Sequence, residues 1–163
     1  MLTEDLKNFV EHNIQLIDEY RFSELYSKCY PYTMRTDLTN MFMSAGLQPV
    51  LYFRNIVPKY AYLRNDMITK ITIPEGITEI DLGAFYLCEN LTEVTLPSSL
   101  KEICSKSFSN CPLLDTVYYE GTSEQWDLVF HTLDPFLETK VTQIRCKDKI
   151  VEWIPYKEEE KQI

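Results

Sequence analysis

The chain is predicted to be α+β: a short solenoid of stacked repeats, covered at its N-terminal end by a helical cap and closed by a C-terminal cap. Three observations predict it. First, a block of residues returns at a fixed step of 23. Ile73-Pro74 comes back as Leu96-Pro97, Ile77 as Leu100, Ile80 as Ile103 and Phe85 as Phe108. Cys88 comes back as Cys111, Leu91 as Leu114 and Val94 as Val117. A step of this length marks a supersecondary unit that buries its apolar face only against neighbouring copies. Second, apolar residues upstream of the repeats follow helical spacing. Third, an aromatic, turn-rich segment follows the last clear copy.

The first segment, residues 1–49, is the expected helical N-terminal cap. Thr3 is its candidate N-cap, with Glu4 and Asp5 in the first turn, where the helix dipole favours anions. Leu6, Phe9, Val10, Ile14 and Ile17 then form one face. A second helix is expected over 22–28, ending before Pro31, and a third over 36–45, closed by Gly46 and blocked by Pro49. The end of a solenoid exposes an apolar cross-section, so a cap is what the physics requires there.

Residues 50–122 are the expected repeat block. A degenerate copy, Val57, Ala61, Tyr62, Asn65, Ile68 and Ile71, precedes the two clear ones. Strands are expected at Ile68 to Ile73, Leu91 to Leu96 and Leu114 to Tyr119, where the closing residues alternate with period two. Pro74 and Pro97 cannot donate to a ladder and end two of them. Between strands, 81–87 and 105–110 are expected to form helical or 3₁₀ turns with Phe85 and Phe108 pointing inward. In the C-terminal cap, 123–156, Ser123 is the candidate cap of a helix reaching Phe130, with Trp126 as buried anchor. Strands are expected over 141–146 and 150–154. Residues 157–163 form a charged tail.

The pattern I-x-I-P-x-x-I-x-x-I-x-x-x-A-F-x-x-C-x-x-L-x-x-V runs from Ile71 to Val94 and again from Val94 to Val117. Tyr118-Tyr119-Glu120-Gly121-Thr122-Ser123-Glu124-Gln125-Trp126 supplies Y-x-G-T-x-x-x-W, and Ile144-Arg145-Cys146-Lys147-Asp148 a closing strand. These motifs resemble the BspA-like leucine-rich repeat family over roughly residues 56 to 151. Ser107 departs from it where Ala is usual, and Lys149 where Gly is common. The helical N-terminal segment resembles the cap of short, leaderless repeat proteins of bacteria and their phages. The resemblance implies a non-enzymatic protein-interaction module, with a phage-encoded or bacterial accessory protein that binds and occludes a host protein as the leading reading.

Composition narrows the other classes. The 163 residues carry 25 acids against 16 Lys and Arg, a net charge of -9. Residues 67–117 hold seven acids against three bases, and 118–163 ten against six. Such a surface repels phosphate backbones, so no direct nucleic-acid binding is expected; an acidic nucleic-acid mimic is an alternative. No run of 18 apolar residues is present, and no membrane partner is expected. Acids at Glu4 and Asp5 stand where a signal peptide needs bases, so a cytoplasmic setting in a bacterium or infected host is expected. The other alternative is a fragment or relative of a cell-surface adhesion protein, which a leader upstream would favour. The expected state is a monomer or weak homodimer.

Chemistry-bearing residues are few. His12 and His131 have no Cys, Ser or carboxylate at a spacing that would complete a dyad, so no catalytic residue is expected. Cys29, Cys88, Cys104, Cys111 and Cys146 include no CxxC, arguing against a zinc site or a disulfide framework. Cys88 and Cys111 occupy equivalent corners, read as buried small apolar residues, with Cys104 and Cys146 read the same way. Glu79 and Glu102 repeat in register as a solvated edge. No metal or cofactor is expected. The candidate site is the outward strand face, and its partner an unidentified protein. Thr72, Thr95 and Tyr118 form one column there, and Lys70, Glu93 and Thr116 the flanking one; Tyr118 leads, because tyrosine is enriched at binding hot spots. Tyr20, Tyr30 and Tyr32 are a second candidate patch.

Overall fold

The computed structural model describes residues 55–131 and 133–154. The expected helices of 1–49, His12, Cys29, the Tyr20, Tyr30 and Tyr32 patch and the tail of 157–163 lie outside the described residues.

Two sheets run the length of the stack. The first has strand order β1-β3-β5-β7: Ile56–Val57, Glu79–Ile80, Glu102–Ile103 and Phe130–His131. All its pairs are parallel, joining Ile56 to Glu79, Glu79 to Glu102 and Glu102 to Phe130. The second has order β2-β4-β6-β8-β9: Lys70–Thr72, Glu93–Leu96, Thr116–Tyr119, Gln143–Arg145 and Ile150–Glu152. Its first four strands are parallel and in register, and β9 returns antiparallel on β8. Coil on coil, the 23-residue step is realised as Lys70 beside Glu93 and Ile71 beside Val94.

The sequence reading contained only the second of these sheets. Each strand of the first is two residues long, with one inward residue such as Ile80 or Ile103. Two residues offer no alternation from which a strand can be read.

The turns between sheets also differ from the expected helical or 3₁₀ turns. Every second amide there closes a tight i→i−3 turn, as Ala84 N to Asp81 O and Tyr86 N to Gly83 O. The amides between them reach the next coil: Tyr62 N to Ala84 O at 2.7 Å, Phe85 N to Ser107 O at 2.7 Å, Phe108 N to Pro135 O at 2.9 Å. This alternation requires left-handed backbone at two points per coil. Tyr60, Gly83 and Lys106 occupy one of them, and Arg64, Leu87, Asn110 and Glu138 the other, all at positive φ; in the last coil Leu133, one residue ahead of the first corner's register, is also left-handed. A 3₁₀ helix has no such residues. Gly83 serves a second purpose, because a Cβ on it would lie 2.4 Å from the Tyr60 ring.

These corners aim four rings into the interior. Tyr62, Phe85, Phe108 and Phe136 form a continuous stack with centroids 4.9, 4.9 and 5.4 Å apart and planes within 13° of parallel. The spacing matches the ~4.8 Å rise of paired strands. It exceeds the ~3.5–4.0 Å of carbon–carbon contact, so the near-parallel rings are offset, the arrangement their quadrupoles favour. Phe85 and Phe108 are wholly buried, as expected. Phe136 was not foreseen, since the step lengthens to 28 between Phe108 and Phe136 and to 27 between Val117 and Ile144.

A short helix, α1 (Ser123–Trp126), turns the chain into the closing segment. Its N-cap is Thr122, one residue before the expected Ser123, and it ends at Trp126 instead of reaching Phe130. Thr122 and Gln125 form a reciprocal capping box, with Thr122 N donating to Gln125 Oε1 at 2.8 Å. Ser123 is buried, and both its amide and its hydroxyl donate to the Asp148 carboxylate, at 2.7 and 2.8 Å. The β8–β9 hairpin is thereby pinned to the start of α1, helped by Lys147 N donating to Gly121 O. Trp126 is buried, as expected, edge-on to Tyr119. Trp153 ends the stack: its ring meets Phe136 at 5.1 Å, His131 at 4.9 Å and Trp126 at 6.2 Å, edge to face with planes inclined by 85°, 62° and 66°.

Candidate functional site

Strand alternation sends Ile71, Val94, Val117 and Ile144 into the core and the residues flanking them to the opposite face. Pairing aligns those outward residues coil by coil. Thr72, Thr95 and Tyr118 stand in one column, and Lys70, Glu93 and Thr116 in the other. Thr72 and Lys70 are exposed; Thr95, Glu93 and Thr116 are half-buried between neighbours. Tyr118 is 39% exposed. Lys70 Nζ meets Glu93 Oε2 at 3.3 Å, an exposed pair worth at most about 1 kcal/mol.

Both columns extend further than the sequence reading took them. Arg145 continues the first beyond Tyr118, and Ile150, paired with Arg145 across the hairpin, ends it. Gln143 and Glu152 continue the second. The period-two alternation of 141–146 already pointed Arg145 outward. Ile150 and Glu152 depend on the antiparallel return of β9, which no local signal encodes. The outcome is a face five strands wide, with exposed Tyr118, Arg145 and Ile150 adjacent in one column.

The first sheet brings two acids together. Glu79 and Glu102 sit side by side in the parallel ladder, both half-buried instead of fully solvated. Partial burial, and then Asp81 and Glu102, push the Glu79 carboxyl above its ordinary value. Cys104 Sγ lies 3.7 Å from both Glu79 Oε1 and Glu102 Oε1. Burial and these carboxylates push its thiol up to about 12, which keeps it protonated and unreactive. Glu79, Asp81 and Cys104 bring ligand atoms within 4.8 Å of one another, the grouping among the described residues that could hold a metal ion.

Cys88, Cys111 and Cys146 are free thiols. Cys88 and Cys111 are buried, as expected, but they also donate to the preceding coil: Cys88 Sγ to Tyr62 O at 3.0 Å, Cys111 Sγ to Phe85 O at 3.1 Å. Asn65 fills the same corner one coil earlier, its Oδ1 accepting from Met67 N and Ile68 N. Cys104 and Cys146 are half-buried, not buried; each follows directly after the end of its strand, β5 and β8. His131 lies in β7 against Trp153, paired in register with Ile103. No helix among the described residues is long and apolar enough to cross a membrane.

Comparison with known proteins places this geometry. The model of the BspA type leucine rich repeat region matches residues 55–131, in 6 copies. The chain is similar to a leucine rich cell surface protein from Faecalibacterium prausnitzii A2-165, known from its crystal structure. The identity is 36%, with a TM-score of 0.44, over 46% of this chain and 20% of that one. The chain thus spans about a fifth of that protein's length. No curated protein matches the chain.

Proposed function

Since residues 55–131 are a BspA-type leucine-rich repeat region, we propose that the chain is a non-enzymatic protein-interaction module that docks a partner on the outward face of β2, β4, β6, β8 and β9. One observation carries this reading. The five strands present two aligned columns of side chains on a backbone that is fixed from beneath by a wholly buried core. A rigid face loses little conformational freedom when a partner settles on it, so more of the contact energy appears as affinity. Tyr118 supplies the amphipathic anchor such faces use.

The mechanism proposed is occupancy: the module covers a partner's surface or holds two partners together, and no bond is made or broken. The finer proposal is that of a bacterial or phage accessory protein occluding a host protein; the family motifs at Ile71 to Val117 and Tyr118 to Trp126 support the interaction module on which it would be built.

The test is pull-down with a tagged chain, wild type against the double variant Tyr118→Ala, Glu93→Ala. Capture of the wild-type partner set should be lost while the melting temperature changes by no more than a few degrees, since both side chains face outward. Undiminished capture by the variant rejects this face.

A further inference from the structure

We propose that this face recognises a carboxylate carried by a polypeptide segment of the partner, with Arg145 gripping the carboxylate and Tyr118 and Ile150 packing apolar side chains on either side. The inference rests on the docking role of the face and adds the chemistry of what docks.

Register brings the three residues together. Tyr118 pairs with Arg145 across β6 and β8, and Arg145 with Ile150 across β8 and β9. Neighbours in such a column lie about 4.5–5.5 Å apart at Cβ. Ile150 is 54% exposed and Tyr118 39%, so the guanidinium rises between two accessible apolar surfaces. Arg145 forms no ion pair among the described residues. Lys70, the other outward base of β2 to β9, is already matched by Glu93. The nearest acid in sequence, Asp148, is held by Ser123. A guanidinium presents a rigid fork of donors suited to a carboxylate, and aromatic and arginine side chains dominate interface hot spots.

The surrounding charge narrows the ligand further. Exposed Glu120 and Glu152 lie near the column, exposed Lys147 and Lys149 lie in the β8–β9 turn beside it, and the chain carries a net -9. An extended polyanion such as nucleic acid is repelled by the chain as a whole. A single Asp or Glu flanked by apolar residues meets Arg145 with mixed charge around it. The fit is therefore to an amphipathic segment with one acid.

The experiment pans a random decapeptide display library against the full chain, with no variant used in the selection. Fluorescence anisotropy of a labelled selected peptide then follows. Enriched peptides should carry Asp or Glu with apolar residues within two positions. Affinity should fall about tenfold or more for Arg145→Ala, and similarly when the peptide's acid becomes its amide. Arg145→Lys should recover only part of it, because the fork is lost. Peptides without an acid, equal binding to Arg145→Ala, tighter Arg145-dependent binding to an oligothymidine probe, or no enrichment would each overturn the proposal. If Tyr118→Ala abolishes peptide binding while Arg145→Ala does not, docking on the face survives and carboxylate recognition falls. If neither matters, both fall.

Discussion

Phe108 is the residue on which the stacked spine can be weighed. It is wholly buried and lies between Phe85 at 4.9 Å and Phe136 at 5.4 Å. Removing its ring in Phe108→Ala forfeits the transfer of a buried aromatic, about 1.5–3 kcal/mol. It also leaves a cavity that coils held in register by the corner hydrogen bonds cannot close. Deletions of this kind cost about 3–5 kcal/mol in total. The upper half of that range applies here, because two ring–ring contacts, each worth about 0.5–1.5 kcal/mol, vanish together. A loss of about 4 kcal/mol is a large part of the roughly 5–15 kcal/mol that holds a domain folded. Phe108→Leu refills most of the volume and should cost about 1–2 kcal/mol. Urea unfolding followed by circular dichroism reads the coils, and tryptophan fluorescence from Trp126 and Trp153 reads the closing end. A loss under about 1 kcal/mol for Phe108→Ala would refute the argument, since it would mean the rings bear on nothing.

Two titrations follow from the charged groups. Burial and neighbouring acids raise the Glu79 carboxyl above its ordinary value of 4.5, so the folded chain binds the extra proton and stability declines as pH rises through that window. Glu79→Gln should therefore raise the melting temperature at pH 7, with the advantage shrinking as pH falls toward 4.5; a lower melting temperature at pH 7 would contradict this. Asp148 behaves oppositely. Hydrogen bonds from the Ser123 hydroxyl and amide lower its carboxyl below the ordinary 3.8, so its contribution is present above that value and is lost as pH falls through the lowered one. Asp148→Ala should loosen the hairpin at neutral pH, seen as faster amide exchange of Lys147 and Ser123, and should match wild type in strong acid.

The second sheet and the ring spine were legible because each coil repeats one pattern. Ile71, Val94 and Val117 recur at the same step, and strand alternation fixes which neighbours face out. Where the pattern was too short or the step changed, the sequence was silent. Ile80 and Ile103 mark strands of two residues, which periodicity cannot resolve. Phe136 falls out of register after the loop following α1. The left-handed corners fall mostly on Tyr60, Arg64, Leu87 and Lys106, residue types that give no warning of positive φ. They are held there by coil-to-coil hydrogen bonds, a tertiary effect. Trp153 was read as a strand residue and is instead the plate that ends the spine. Half of the outward face followed from alternation; Ile150 and Glu152 joined it only through the reversal of β9.

The corner bonds run from main chain to main chain, Phe85 N to Ser107 O and Leu87 N to Ser109 O, and so demand shape and not particular side chains. A whole unit copied between Asp81 and Cys104 would find the same donors above and the same acceptors below. Growth by tandem duplication is thus built into the architecture, each added copy widening the working surface by one strand while both ends stay as they are.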